Sequence, residues 1–346
     1  MGNWFLMVIL VPVCASILSL VIAGLLIRNP SGKLALDQPN DRSLHSKPTL
    51  KGVGIAIVIT TVSVVSFLLI FYGDTKSFLV TVGFTVVAMG VLGWLDDHQN
   101  LAVRVRLFVQ LLVSVAAIGI LGGISEVNFG GFVFDLWLPV SLILSAMFLI
   151  WMTNLYNFMD GADGYVCSQG ILTSLIMAYW FFIYGDTTLM LLCLGVGGAT
   201  AGVVVFNWAP AQVFLGDTGS LALGIIFGLL AIYGITRYNM SASAFLLLYG
   251  LFLYDATVTL ARRAFMSERL WEAHSTHFYQ RLIHAGFSHS KLSVIASGIT
   301  IYLAILATLD ILSAKPRPLW LIVGVISLSL LATITSRYER RSRSES

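Results

Sequence analysis

The sequence predicts an all-α, polytopic integral-membrane protein, and three observations carry that expectation. Hydrophobic residues make up 58% of the 346 residues and charged residues only 11%, against about 25% charged in a soluble domain. The mean hydropathy is +0.89. Apolar runs recur along the chain, many near the roughly 20 residues that a helix needs to cross a hydrocarbon core about 30 Å thick. The connections between them are too short for an independent soluble domain, so residues 1–346 are expected to form a single integral-membrane domain.

In order, helical spans are expected near 4–27, 55–72, 77–95, 107–123, 136–153, 166–184, 187–206, 220–236, 243–261, 292–313 and 318–336, about eleven in all. The fifth and eighth are the shortest. The first run follows Met1-Gly-Asn without a basic leader or a small-residue cleavage site, so it reads as a retained span. Turns such as Tyr184-Gly-Asp186 leave room for antiparallel hairpins and nothing more. Residues 124–135 alternate apolar and polar side chains and suit a small β-hairpin. Cys14, Cys167 and Cys193 are scattered through apolar segments without metal spacing, which marks them as inert thiols. No internal repeat suggests inverted transporter halves.

Basic residues orient the spans. Of the 20 Lys and Arg, only Lys76, Arg237, Lys315 and Arg317 fall on one side. The remainder fall on the other, in connections 28–54, 96–106, 262–291 and the tail from Arg337 to Arg343. That side is expected to be cytoplasmic, with the N-terminus outside and the C-terminus cytoplasmic. The same side carries all the chemistry-capable residues, including those of 154–165 and 207–219. The Arg- and Ser-rich tail reads as a solvated topology determinant touching anionic lipid.

Asn154-Leu-Tyr-Asn157-Phe-Met-Asp160-Gly-Ala-Asp163-Gly-Tyr165 places two amides and two carboxylates at three-residue steps. Neighbouring pairs share a helix face, but all four cannot converge on a straight helix, because three such steps rotate the direction by roughly half a turn. Gly161 and Gly164 let the backbone break there. Asp-Gly pairs also form ordinary turns, yet two in register beside two Asn suggest a site for a metal and a phosphate. At the end of the third span, Asp96-Asp97-His98 is either a solvated helix end or a pair dividing the work of metal ligand and base. Carboxylates at a helix C-terminus oppose its macrodipole.

Phe214-Leu-Gly-Asp217-Thr-Gly-Ser220 could simply cap a helix, or bring phosphate to free N–H groups with Phe214 beside it as an aromatic face. His274, His277, Arg281 and His284 recur at helical spacing opposite Trp271, Phe278 and Leu282, as in an amphipathic surface helix. Histidine and arginine there suit phosphates better than zinc, since no third ligand accompanies the pair. Connection 28–54, with Lys47, Lys51, Gly52 and Gly54, suits either a positive-inside loop or recognition of an anionic headgroup. Asp255 stands alone in a span and is given no role.

Taken in order, these motifs resemble the polyprenyl-phosphate N-acetylhexosamine-1-phosphate transferase family, the group of the MraY, WecA and WbpL types. The resemblance rests on Asp96-Asp97 with Arg104, Arg106 and Gln110 downstream, the Asn157-to-Asp163 stretch, Phe214-to-Ser220, and a histidine motif before the last two spans. His274-Ser-Thr-His277-Phe-Tyr-Gln-Arg-Leu and the leader Asp37-Gln-Pro-Asn40-Asp-Arg42-Ser43-Leu-His45 look like the WbpL branch, which initiates O-antigen. Leu50 and Val53 depart from the proline and glycine common in that family's next segment.

The resemblance implies transfer of an N-acetylhexosamine 1-phosphate from a UDP-sugar to undecaprenyl phosphate, releasing UMP and starting a lipid-linked surface glycan such as lipopolysaccharide O-antigen. It points to UDP-GlcNAc or a 6-deoxy relative such as UDP-FucNAc or UDP-QuiNAc as donor. Mg²⁺, with Mn²⁺ as the substitute, is the implied cofactor. The implied setting is the bacterial inner membrane, multi-pass, with a cytoplasmic active site, membrane lipid around it, room for a homodimer, and no nucleic acid.

Carried over by motif, Asp217 binds the metal with Asp97 beside it, and Asp96 is base to the lipid phosphate or positions it. Asn157, Asp160 and Asp163 hold nucleotide and metal-bound groups, and Phe214 stacks on uracil. His274, His277 and Arg281 engage phosphates or sugar, with Lys51 among the substrate-binding cations. A lipid-linked sugar flippase is the rival of another class, but it calls for charges along a path through the bilayer, whereas here they gather at one face. A CDP-alcohol phosphotransferase is disfavoured because Ala162 and Asp163 follow Gly161 where its DGxxAR signature differs.

Overall fold

The computed structural model describes residues 4–345 apart from 31, 33, 40–43, 46, 74, 270–273 and 314–317. It is 76% helical. The helices are α1 (Trp4–Arg28), α2 (Ile55–Phe71), α3 (Lys76–Gln99), α4 (Val103–Leu121), α5 (Leu138–Phe158), α6 (Tyr165–Ile183), α7 (Thr187–Asn207), α8 (Gly216–Tyr238), α9 (Ala242–Leu248), α10 (Gly250–Phe265), α11 (Phe278–His284), α12 (His289–Leu312) and α13 (Leu319–Glu345). Among the described residues, 9 helices are long and apolar enough to cross a membrane, or 10 with α9 and α10 taken as one bent span. α2 is a shorter apolar helix. The chain is an all-α polytopic membrane protein.

α8 lies at the centre, packed by α2, α3, α5 and α6. Its residues from Thr218 to Ile232 are all buried, consistent with a sequence that is apolar all round. α1 and α13 lie outside it and keep broad apolar faces exposed, as at Leu25 and Ile334. Helices in lipid gain little from hydrophobic burial against one another, so close backbone packing at small residues holds them. A Cβ on Gly198 would stand 2.3 Å from the Pro12 carbonyl oxygen, and one on Gly202 2.4 Å from that of Ser16. Those contacts seat α1 on α7.

One expected span is broken. Instead of a continuous helix over 243–261, α9 and α10 meet at an 81° bend. A bend at membrane depth frees backbone groups that water cannot satisfy. Gln169 Nε2 donates to the Leu248 carbonyl at 3.2 Å, and Thr300 Oγ1 donates to Gln169 Oε1 at 2.5 Å. The partners come from α6 and α12, so the break is stabilised by distant parts of the chain.

Two small sheets complete the fold. The hairpin expected in 124–135 is present as β3 (Glu126–Phe129) and β4 (Phe132–Asp135). At the other end of the bundle β1 (Ala35–Asp37) pairs antiparallel with β2 (Thr49–Lys51), which pairs parallel with β5 (Val213–Phe214). Lys51 and Phe214 are register partners, so connection 28–54 is sewn to the entry of α8.

Candidate active site

The site grows from the contact between the end of α3 and the start of α8. A Cβ on Gly93 would lie 2.3 Å from the Asp217 carbonyl oxygen, so only glycine lets the two backbones meet there. Gly216, at φ +76°, turns the chain into α8; a Cβ there would stand 2.7 Å from Asp97 Oδ2. The Asp97 carboxylate, its side chain fully buried, then accepts from the α8 N-terminus. Oδ1 takes the Asp217 N–H at 3.0 Å; Oδ2 takes the Thr218 N–H at 3.2 Å and the Thr218 hydroxyl at 2.7 Å. Lys51 Nζ is 3.7 Å from Oδ1. Asp97 therefore caps α8 from a different helix, where the dipole favours a negative charge.

Asp96 faces the other way, as adjacent helical residues must. Its Oδ1 accepts the Leu101 N–H at 2.7 Å and its Oδ2 accepts from Arg106 Nη1 at 2.7 Å. The same nitrogen is 3.7 Å from Asp217 Oδ2. Arg106 thus bridges the two acids. The Asp217 side chain keeps 26% of its surface exposed, which leaves it open to a ligand.

The Asn154-to-Asp163 stretch breaks where the glycines predict. α5 ends at Phe158 and α6 begins at Tyr165, with Gly164 at φ +70° over the Trp208 ring. Asn154 Nδ2 donates to Gln110 Oε1 at 2.7 Å, and Asn157 Nδ2 to Ser220 Oγ at 3.3 Å. Asp160 points to the acids: burial, then the charges of Asp217 and Asp97, push its carboxyl well above the usual carboxylate range, partly offset by the Gly216 N–H and Lys51. Asp163 does structural work. Its Oδ2 accepts the Ala211 N–H at 3.0 Å, its Oδ1 is 3.3 Å from His289 Nδ1, and its carbonyl accepts from Ser293 Oγ at 2.8 Å.

The histidine motif differs from the expected amphipathic helix. Residues 270–273, Trp271 included, lie outside the described residues, and α11 begins only at Phe278, with His274 ahead of it. Asp255 of α10, buried, gathers the start of α11. Its Oδ1 accepts the Phe278 N–H at 2.9 Å and lies 3.0 Å from His277 Nδ1, while its Oδ2 accepts the Tyr279 N–H at 3.1 Å. An ionised carboxylate only accepts, so it holds the Nδ1–H tautomer of His277 and leaves Nε2 free for other partners. The His274 ring stands 4.8 Å from that of His277. Tyr279, whose hydroxyl is pushed up by burial and by Asp255 and Asp160, stays protonated and donates to the Phe158 carbonyl at 3.0 Å.

Arg281 is not brought to this centre. Its Nε donates to Glu339 Oε2 of α13 at 2.9 Å, and its Nη2 approaches the same oxygen. Rotation along the short helix separates it from His277 and Gln280, so the motif's polar residues occupy two faces instead of one.

Two cavities meet here. The smaller, about 130 Å³, is lined by Asp37, His45, Asp160, Asp163, Asn207, Phe214 and His289 among others. Phe214 forms one wall, with the His45 ring edge-on at 4.9 Å. The larger, about 1040 Å³, has Leu107, Leu144, Met147, Phe148, Ile150 and Trp151 along its length and Arg106, Asn154, Asn157, His274 and His277 at its polar end. Gln280 lines both.

Among the described residues, no three His, Cys, Asp or Glu side chains form a preformed metal cage. Magnesium held by one or two carboxylates, with water and phosphate completing its octahedron, needs none. The open Asp217 carboxylate and the mutually repelling Asp160 and Asp97 suit that mode. Asp97, bonded on both oxygens, fits a place behind the ligand rather than in its coordination shell.

Sequence reasoning gave no role to Arg106, Asp255, His289, Gln280 or His45. Asp255 carried a readable signal, since a lone carboxylate inside a span marks a functional partner. His289, between two serines, carried none.

A polar recess and an apolar-walled cavity with a polar end share Gln280 in a polytopic membrane protein, an arrangement suited to a polar ligand and an amphiphile. The comparisons with known proteins point the same way, to the polyprenyl-phosphate N-acetylhexosamine-1-phosphate transferase family that the motifs resemble. Residues 78–235 match Glycosyl transferase family 4. The chain is 28% identical over 330 residues to the probable undecaprenyl-phosphate N-acetylglucosaminyl 1-phosphate transferase of Bacillus subtilis (strain 168), covering 93% of this chain and 89% of that relative. It is also 28% identical over 202 residues to the phospho-N-acetylmuramoyl-pentapeptide-transferase of Staphylococcus aureus (strain MSSA476), covering 54% of this chain and 61% of that protein.

Proposed function

We propose that the protein transfers an N-acetylhexosamine 1-phosphate from a UDP-sugar to undecaprenyl phosphate, releasing UMP. The observation that carries this reading is the larger cavity, apolar along its length and cationic or amide-lined where it meets Asp96 and Asp217. An acceptor with a long hydrocarbon tail and one phosphate matches that polarity. Arg106 would receive the phosphate, with His274, His277 and Asn157 beside it.

The donor's nucleotide belongs in the smaller recess, with uracil on the Phe214 face and its phosphates directed toward Asp160, Asp217 and Lys51. An oxygen of the acceptor phosphate attacks the sugar-bearing phosphorus; the bond to UMP breaks and a sugar diphosphate-lipid forms. A phosphate monoester with its second pKa near 6 is mostly deprotonated at neutral pH, so Asp96 is placed more as an orienting group, through Arg106, than as a base. Two unit charges 4 Å apart interact by about 4 kcal/mol at an effective dielectric of 20, so two anionic substrates need cations between them. Mg²⁺ at Asp217, with Asp160 near, would supply charge neutralisation and polarise the leaving group. Lys51 and Arg106 contribute fixed charges on either side.

The positive-inside bias supports placing this site on the cytoplasmic face of a bacterial inner membrane. The Bacillus relative's printed name favours UDP-GlcNAc as donor, while the histidine motif and leader favour the O-antigen branch and keep the 6-deoxy relatives in contention. Purified protein offered UDP-N-acetylhexosamines in turn, with undecaprenyl phosphate and Mg²⁺, tests the reading. Stoichiometric UMP and lipid-linked sugar with one donor support it; no UMP with any donor overturns it.

A further inference from the structure

The opposite face of α11 points to a second ligand. Between α10, α11 and α13 lies a cavity of about 520 Å³, lined by Arg262, Arg281, His284 and Arg340 with Glu339 as its acid and Met266 at its edge. Glu339 pairs with Arg281, and among the described lining residues Arg262 and Arg340 add two further cations. The buried Arg262 Nε has no hydrogen-bond partner among the described residues. A guanidinium nitrogen buried without an acceptor costs free energy, and phosphate is the anion its planar fork suits.

The cavity's depth and surroundings indicate where that phosphate comes from. From Leu319, where α13 begins, to Arg340 the helix rises roughly 33 Å, about one hydrocarbon thickness, which puts Arg340 at headgroup level. Phe265 is 90% and Met266 61% exposed beside the cavity. Cations at the interface next to exposed apolar side chains match a headgroup with its acyl chains alongside.

We propose that this cavity binds the phosphate headgroup of an anionic phospholipid, separately from the acceptor's cavity. Because Arg281 faces it while His277 and Gln280 face the catalytic centre, the bound lipid braces α11 from behind. The site does not depend on which reaction the centre performs.

Native mass spectrometry of the detergent-purified full chain, without donor or acceptor, provides the test, using phosphatidylglycerol and phosphatidylcholine of matched acyl chains. Wild type is expected to retain phosphatidylglycerol on the order of tenfold better than phosphatidylcholine. Arg262→Gln with Arg340→Gln should erase the preference. Arg340→Gln alone, at an exposed position that does not threaten folding, should reduce it several-fold. Equal retention of the two lipids by wild type, or an undiminished preference in both variants, overturns the proposal. So does inorganic phosphate that binds in this cavity while the lipid does not.

Discussion

The Asp97 carboxylate accepts the backbone N–H of Asp217 at 3.0 Å, so the acid at the end of α3 fixes the position of the acid that opens α8. The arrangement recurs at Asp255, which caps α11 and orients His277. In both cases a buried carboxylate from one helix positions a polar side chain at the start of another.

Asp97→Ala removes that cap and strands the N–H groups of Asp217 and Thr218. Loss of a buried hydrogen-bond partner costs about 1–3 kcal/mol. A lower thermal transition in detergent should accompany a large fall in kcat. Asp217→Asn, by contrast, should leave the transition nearly unchanged while abolishing turnover and its dependence on Mg²⁺. Equal stability losses in the two variants would show that Asp97 does not anchor α8.

Arg106→Ala releases both Asp96 and Asp217 and removes a cation from the polar end of the large cavity. Charge-assisted hydrogen bonds contribute about 1.5–3 kcal/mol, so the KM for undecaprenyl phosphate should rise on the order of tenfold or more. The KM for the UDP-sugar should move less. Steady-state kinetics with each substrate varied separately would check the split.

Asp160 gives a pH dependence whose sign follows from its raised folded-state pKa. Between the unfolded value and the raised folded value the native state binds more protons than the unfolded chain, so this carboxyl's contribution to stability falls as pH rises through that window. In the absence of divalent metal, Asp160→Asn should remove that slope from thermal transitions measured against pH. With Mg²⁺ beside this group as proposed, proton and metal would compete there, so the apparent Mg²⁺ affinity should weaken as pH falls, less so in the variant.

Asp255→Asn keeps the shape of the side chain but puts an amide N–H where a carboxylate oxygen accepts. His277 loses its fixed tautomer and α11 loses part of its cap. kcat should drop by one to two orders of magnitude in steady-state assays.

The apolar wall of the larger cavity can be tested by acceptor length. Trp151→Ala removes side-chain surface whose contact with a hydrocarbon tail is worth about 1.5–3 kcal/mol. The KM should rise for undecaprenyl phosphate and change little for a short, water-soluble isoprenyl phosphate.

The helices and the aspartates were legible because run length and side-chain chemistry are local properties. Nothing between Ala242 and Phe265 announced the α9–α10 break, since the groups that satisfy it, Gln169 and Thr300, lie far away in the chain. The sheet escaped notice because strands of two or three residues are too short to show a period. Arg281 was misplaced because its orientation depends on where α11 begins and on Glu339, 58 residues later. The gathering of Asp96, Asp97 and Asp217 followed from motif order, but the division between an exposed acid and a caged one needed the three-dimensional contacts.

The pairing of β2 with β5 makes two distant connections answer to one length rule. Lys51 and Phe214 are matched across parallel strands, and a shift of one residue in a strand turns every side chain to the opposite face. An insertion between Lys51 and Gly54, or between Phe214 and Asp217, would therefore rotate a cation or an aromatic ring out of the site while leaving the bundle assembled. In chains of this architecture, insertions and deletions should be absent from both stretches, even where the residues around them diverge.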